Sequence, residues 1–289
     1  MPAPASAQDL VELLELEEID VDLYRGRQSD TDRQRVFGGQ VAAQALIAGI
    51  RTVAPELAVH SLHSYFLRPG DTRIPIVYDV ERIRDGRSFS TRRVVARQHG
   101  RAIYYLTASF QRAEDGLEHQ DVMPQVPGPD EGMSLAELWL KRQDGDQAQS
   151  LVKEFAALDA RYLGNSLRGL EEDPDRPARA RMWLRVTEDL GDDPVRHLAA
   201  FTYASDMSLL GATLTPHKAG PPQIQMASLD HTIWFHRPFR ADEWWLYDQA
   251  SPSAQGARGL AIGRVFAQDG RLVATVAQEG LIRPVTPRD

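Results

Sequence analysis

Two stretches of this chain, His60 to Gln111 and Met226 to Arg283, are punctuated alike. In the first, Tyr65, Phe66, Arg68 and Pro69 lead to Gly86 and Gly100; in the second, Trp234, Phe235, Arg237 and Pro238 lead to Gly256 and Gly270. The two glycines are fourteen residues apart in both copies, and the step from proline to the last glycine is thirty-one positions in one and thirty-two in the other. Any two antiparallel meanders share turns, but here the flanking segments correspond as well, which is the mark of an internal duplication. The fold must therefore place two similar halves in one body, and 289 residues are enough for both.

Each copy reads as a strand ladder. In the first, strands are expected over Val59 to Arg68, Arg73 to Arg84, Ser88 to Gln98 and Arg101 to Gln111, with reversals at Pro69-Gly70-Asp71, Asp85-Gly86 and His99-Gly100. A helix precedes each ladder. Gly38 and Gly39 open an Ala-rich segment to Ile50 that is apolar on most sides except at Gln40 and Gln44, the pattern of a helix wrapped by sheet. Its counterpart is expected over Val195 to Leu210. Nearer the start, Ser6 and Asp9 cap a short helix from Ala7 to Leu16, and Ile19, Val21 and Leu23 alternate as one strand. Residues Met1 to Gln8 otherwise read as a ragged tail, without the apolar core of a secretory signal.

Between the halves the composition turns acidic, with nine acidic residues against two basic from Ala113 to Ser150. This segment reads as a linker with helices near Leu135 to Arg142 and Leu151 to Tyr162, closed by a loop at Glu171 to Pro177 and followed by a strand at Arg179 to Val186. The expected division is 8–112 for the N-terminal half, 113–177 for the linker and 178–285 for the C-terminal half.

Charge and composition narrow the function. The net charge of -8 argues against a nucleic-acid partner held by a broad basic field. No apolar run is long enough to cross a bilayer, so membrane insertion is not expected and the location reads as cytoplasmic. With no cysteine there is no disulfide frame, thiolate metal site or thiol nucleophile. One local exception is Arg82 to Arg101, with seven arginines against one aspartate; it is either the solvated face of a sheet or a landing surface for an anion.

The familiar catalytic signatures fail. Gly164 to Arg168 lacks the last glycine of a nucleophile elbow, His60 with His63 lacks the spacing and glutamate of a zinc helix, and no phosphate loop or dinucleotide fingerprint occurs, so neither metal nor cofactor is expected. What remains is Asp206, an acid on a largely apolar helix, which must be solvated, hydrogen-bonded or functional. In the last strand Gln278 interrupts a row of Leu272, Ala274, Val276 and Ile282, and Ser228 is polar at the start of the same ladder. Singly, each suits a polar group bonded to nearby backbone. If the sheet wraps the helix, the three converge and suit a bound water: Asp206 accepts its proton, while Ser228 and Gln278 direct it at a carbonyl. The unpaired NH groups of Gly38, Gly39 and Gln40 at a helix start could polarise that carbonyl, although close packing explains the same glycines.

Several motifs stand in a shared order: Phe37-Gly38-Gly39-Gln40, His63 to Gly70, Tyr203-Ala204-Ser205-Asp206, Ala227 to His231, Trp234 to Phe239 and Gln278-Glu279-Gly280. Together they resemble the acyl-CoA thioesterase II family, from about Leu10 to Arg283. The resemblance implies an α+β double hot dog, two tandem halves each with a long helix wrapped by an antiparallel sheet. It further implies acyl-CoA as substrate and a homo-oligomer. The family's catalytic Asp, Thr and Gln fall on Asp206, Ser228 and Gln278; Ser228 departs from the usual Thr but keeps the hydroxyl. No acid stands at Gly39-Gln40, which implies one active site per chain. Two rivals stay open: a hot-dog hydratase or dehydratase, whose Asp and His would have to be Asp230 and His231 on opposite faces of a strand, and a non-catalytic acyl-CoA scaffold.

Overall fold

The computed structural model describes residues 3–29, 31, 34–142, 146–165, 178–217 and 223–285; the loop expected at Glu171 to Pro177 lies outside them. Helix α1 (Ala7–Leu14) starts where its cap predicts. Ser6 Oγ accepts from Asp9 N and Asp9 Oδ2 accepts from Ser6 N, both at 3.1 Å. Among the described residues before it the expected ragged tail is tied down, since Pro4 O accepts from Ala157 N across the molecule. The single strand expected through Ile19 and Leu23 is instead a hairpin, β1 (Leu16–Asp20) and β2 (Leu23–Gly26), turned by Asp22 at φ 59°. The alternation misled because Ile19 and Val21 face solvent.

Helix α2 (Gly38–Ile50) is buried from Gly39 to Gly49. Its deepest polar group is satisfied: Gln44 Nε2 donates to Leu13 O (2.7 Å) and Arg27 O (3.0 Å), and its Oε1 accepts from Tyr78 Oη (2.7 Å). The first ladder follows as β3 (Leu57–Phe66), β4 (Ile76–Asp85), β5 (Phe89–Gln98) and β6 (Arg101–Arg112). Of the arginine-rich stretch, Arg92 is buried on Thr52 and Asp85, Arg82 pairs with Asp22, and Arg93 and Arg97 lie near Glu81 and Asp79. These pairings use up much of the charge that an anion would need.

The acidic segment contributes β7 (Met133–Ser134), α3 (Leu135–Arg142), α4 (Asp146–Glu154) and β8 (Leu158–Asn165). The helix expected from Leu151 to Tyr162 therefore ends at Glu154, and its second part is a strand on β9 (Arg179–Val186). Helix α5 (Pro194–Ser205) stops five residues before the expected Leu210 and is followed by a 3₁₀ helix, Leu209–His217. The last ladder is β10 (Ile224–Ser228), β11 (Asp230–Phe235), β12 (Trp245–Gln255), β13 (Arg258–Ala267) and β14 (Leu272–Pro284).

All the strands join one antiparallel sheet in the order β1-β2-β4-β5-β6-β3-β11-β14-β13-β12-β9-β8-β7, with β10 also on β14. The order reads alike from either end, which is the duplication made visible. At its centre β3 pairs with β11, and His63 opposes Thr232. Tyr65 and Trp234, equivalent in the repeat, are 169 positions apart in sequence, and so are His63 and Thr232. A local two-fold axis therefore passes between those two residues. The sheet curls around α2 and α5, which run antiparallel against each other: Gly39 lies on Tyr203, while Ile50 and Arg51 lie near Asp193 and Val195.

Candidate active site

The early end of α5 puts Asp206 at its C-cap, at φ −83° and ψ −8°. The helix end is held from the sheet: Tyr247 Oη donates to Ser205 O (3.1 Å) and Gln249 Nε2 to Ser208 Oγ (2.8 Å). The Asp206 side chain is only 5% exposed. Its Oδ1 accepts from Gln278 Nε2 at 2.6 Å. Its Oδ2 lies over the first turn of α2, so that a Cβ built on Gly38 would sit 2.6 Å from it.

Gln278 is wholly buried, and its Oε1 has no protein partner. The residues sharing its face of β14 are Ala274, Val276, Gly280 and Ile282, in line with the expected alternation; Leu272 is only half-buried. Ser228 opposes Gly280 across β10 and β14. It lines a cleft of about 750 Å³ together with Asp206 and Gly38. Gly39 and Gln40 are elsewhere: Gly39 is pressed on Tyr203 O, and Gln40 Nε2 donates to Arg27 O (3.0 Å) and Gln28 Oε1 (3.1 Å).

One buried neighbour of Asp206 escapes the sequence reading. His231 is fully buried, with Nδ1 4.0 Å from Asp206 Oδ1 and Nε2 2.9 Å from Ser205 Oγ. The Ser205 hydroxyl donates to Thr202 O (3.0 Å), so its oxygen accepts from His231 Nε2–H and leaves a lone pair on Nδ1. Burial lowers the His231 pKa to about 4, so the ring is neutral at pH 7. Strict alternation from an inward Ser228 would turn His231 outward. It points inward because Ser228 opposes Gly280 while Thr232 opposes Ala277, four steps on one strand against three on the other. Such a bulge reverses the phase, and nothing in the residue types announces it. Asp230 is not part of this group; its Oδ1 accepts from Glu279 N at 2.6 Å. Tyr104 and Tyr247, both buried near the site, have their pKa raised by burial first and then by the Asp206 charge, so they remain neutral phenols.

The local two-fold axis carries this cleft onto a second, smaller hollow of about 230 Å³ at the other end of the helix pair. There the cap residue of α2 is Arg51, whose Nη2 is 2.6 Å from Glu15 Oε2 and whose Nη1 donates to Leu16 O (2.7 Å). A guanidinium so engaged cannot take a proton from water, so at the cap position of the two central helices the duplicated framework carries a carboxylate on one side and a guanidinium on the other.

Residues 154–281 match the family described as Acyl-CoA thioesterase, and residues 27–111 match Acyl-CoA thioesterase N-terminal domain. Acyl-CoA thioesterase 2 of Haemophilus influenzae is 41% identical over 282 residues, covering 95% of this chain and 97% of its own length. The chain belongs to the acyl-CoA thioesterase family. Acyl-coenzyme A thioesterase 8 of Mus musculus is 42% identical over 287 residues, 94% of this thioesterase and 88% of that one. The crystal structure of acyl-CoA thioesterase II TesB2 from Mycobacterium marinum superposes with a TM-score of 0.81 at 46% identity, covering 96% and 99% of the two chains. A hot dog protein from Alicyclobacillus acidocaldarius, at 19% identity and a TM-score of 0.75 over 96% and 98%, shares the fold. The double hot dog expected from the sequence is thus the architecture of this thioesterase.

The two glycines are separable by mutation. A Cβ on Gly39 would lie 2.2 Å from the Tyr203 carbonyl, a backbone atom that cannot move aside. Gly39→Ala is therefore expected to lose about 1–3 kcal/mol or more of stability. On Gly38 the atoms nearest the added one are the ends of the Asp206 and Phe66 side chains. Gly38→Ala is expected to melt close to wild type while its turnover falls. Equal melting losses in the two variants would contradict this division.

Proposed function

We propose that this chain hydrolyses acyl-CoA thioesters to a free acid and CoA, with Asp206 as the general base. The observation that carries the reading is a nearly buried carboxylate, tied to Gln278 at 2.6 Å, on the wall of a largely apolar cleft. Asp206 takes a proton from a water whose direction Ser228 and the free Gln278 Oε1 fix. The water oxygen adds to the thioester carbonyl, and the negative charge falls on the carbonyl oxygen near the start of α2, where Gly38, the one of the three expected donors that lines the cleft, brings its NH group and the positive end of the helix dipole. Collapse breaks the carbon–sulfur bond, and the proton held by Asp206 passes to the departing thiolate. His231 stays neutral and keeps Ser205, the last residue of α5, in place.

Free-thiol release from acyl-CoA tests the reading. Hydration of an unsaturated acyl-CoA would leave the thioester intact, and a scaffold would release nothing. Ser228→Ala and Gln278→Ala are expected to lower kcat more than they raise KM, since both act on the water rather than on the substrate. An effect confined to KM would remove them from that role.

Among the described residues no helix is long and apolar enough to cross a membrane. A cytoplasmic location fits a chain without cysteine. The outer face of the central strands carries exposed Tyr65 beside Tyr105, and Trp234 beside His63, surfaces suited to a homo-oligomer with sheets face to face. Light scattering at micromolar concentration is expected to give a multiple of 32.3 kDa; a monomer alone would refute the assembly.

A further inference from the structure

The local two-fold axis permits an internal comparison. Both hollows lie where the start of one central helix meets the end of the other, and each is covered by helix preceding the first hairpin of a half. Over the smaller hollow the cover is α1, whose Leu10, Val11 and Leu14 fill it to about 230 Å³. Over the larger one the cover is the pair α3 and α4, which present Leu135, Trp139 and Leu151, with Phe155 directly after α4, and leave about 750 Å³. The helical pair is what the second half has and the first lacks, and it stands over the side that carries Asp206.

The lining is graded. Arg35 and Arg68 are exposed, whereas Trp139 and Leu151 are half-buried and Phe155 is buried. Trp139 leans at a tilt against Phe155 (centroids 5.8 Å), while Phe155 meets Phe37 (5.1 Å) and Phe37 meets Tyr203 (5.0 Å) edge to face. Such a chain of rings forms a stiff wall anchored on α5, because aromatic contacts of this kind have few rotamers to yield. Trp139 is its outermost member, carried on the cover rather than on the wrapped core.

We propose that α3 and α4 form the roof of the acyl-chain pocket, and that the indole of Trp139, backed by Phe155, is the wall that limits the length of chain the enzyme accepts. This deepens the thioesterase reading and rests on it: Asp206 sets where the thioester carbon lies, and the distance from there to the indole sets how many methylenes fit. Each methylene that enters an apolar pocket adds roughly fourfold to affinity, and the gain stops at the wall.

The test is binding of non-hydrolysable alkyl-CoA thioethers of stepwise chain length to the full chain, by calorimetry, for wild type, Trp139→Ala and Leu151→Trp. Wild-type affinity is expected to climb by roughly fourfold per methylene and then level off. In Trp139→Ala the levelling point moves to chains longer by about two carbons or more, because the space left by the indole is open to the ligand. In Leu151→Trp it moves to shorter chains, which keeps the proposal testable should the first variant fold poorly. Thiol release from the matching acyl-CoA series is expected to shift its optimum the same way. A levelling point that stays put in both variants, with affinity scaled equally at all lengths, overturns the roof and its wall while leaving the thioesterase reading intact. No affinity of wild type for any thioether overturns that reading itself.

Discussion

Asp206→Asn is expected to lower thioester hydrolysis by about 10²-fold or more, the scale for loss of a general base, while the protein stays folded. The amide fills nearly the same space, and its oxygen can still accept from Gln278 Nε2, which lies 2.6 Å from Oδ1 in the wild type. What it cannot do is take a proton from water. The loss should appear in kcat and kcat/KM together, since proton transfer belongs to the chemical step and not to binding. The check is thiol release beside a thermal melt of the same preparation. Turnover within a few-fold of wild type, with an unchanged melt, would take Asp206 out of the mechanism.

The second large effect is on stability against acid. His231 is fully buried and its folded-state pKa is lowered to about 4, whereas in the unfolded chain it titrates near the ordinary value of 6.5. Between those values the unfolded state binds the extra proton, so stability rises with pH across that window. Its contribution is fully present above pH 6.5 and is lost as pH falls toward 4. A shift of this size amounts to about 3 kcal/mol. His231→Gln, uncharged at every pH in the window, is expected to lose about that much less stability than wild type between the two ends. Urea unfolding at stepped pH reads the difference. Some slope will remain, because desolvation also lowers the pKa of His60 and, together with the Arg237 charge, that of His236, though His60 is only half-buried and His236 is exposed. Below the window the Asp248 carboxyl, kept below its ordinary range by Arg181 and Arg264 against the cost of its burial, adds a further loss as it protonates. An identical pH profile in the variant and wild type would mean that His231 is not held neutral by the fold.

How much of this was legible in the residues varies by position. The wrapped helix α2 was legible because a segment apolar on nearly every side has nowhere to go but inside. Gln278 was legible as an interruption, since β14 is paired on both edges and its alternation follows the pleat without a break near that residue. Asp206 stood out as an acid among apolar neighbours, but its placement at a helix end did not: Leu209 and Leu210 continue the helical period and are buried in a 3₁₀ turn instead. The strand at Leu158 to Asn165 was hidden for the same reason, because a short apolar run at the end of a helix reads as more helix until a neighbouring strand claims its backbone hydrogen bonds.

The sequence by itself determined the duplication, the antiparallel ladders, the buried helices and the family, because these rest on spacing, periodicity and order, which are properties of the chain read locally. Only the tertiary structure decided that His231 faces Asp206, that Gly39 is bound to helix packing while Gly38 borders the cleft, and that α3 and α4 leave room where α1 leaves little. The first depends on a bulge between β10 and β11, the second on the closeness of α2 and α5, and the third on which helices cover the two ends of that pair. Such features are relations between segments far apart in the chain. A one-residue change in strand phase costs no residue type and leaves no pattern, yet it selects which side chains share the interior.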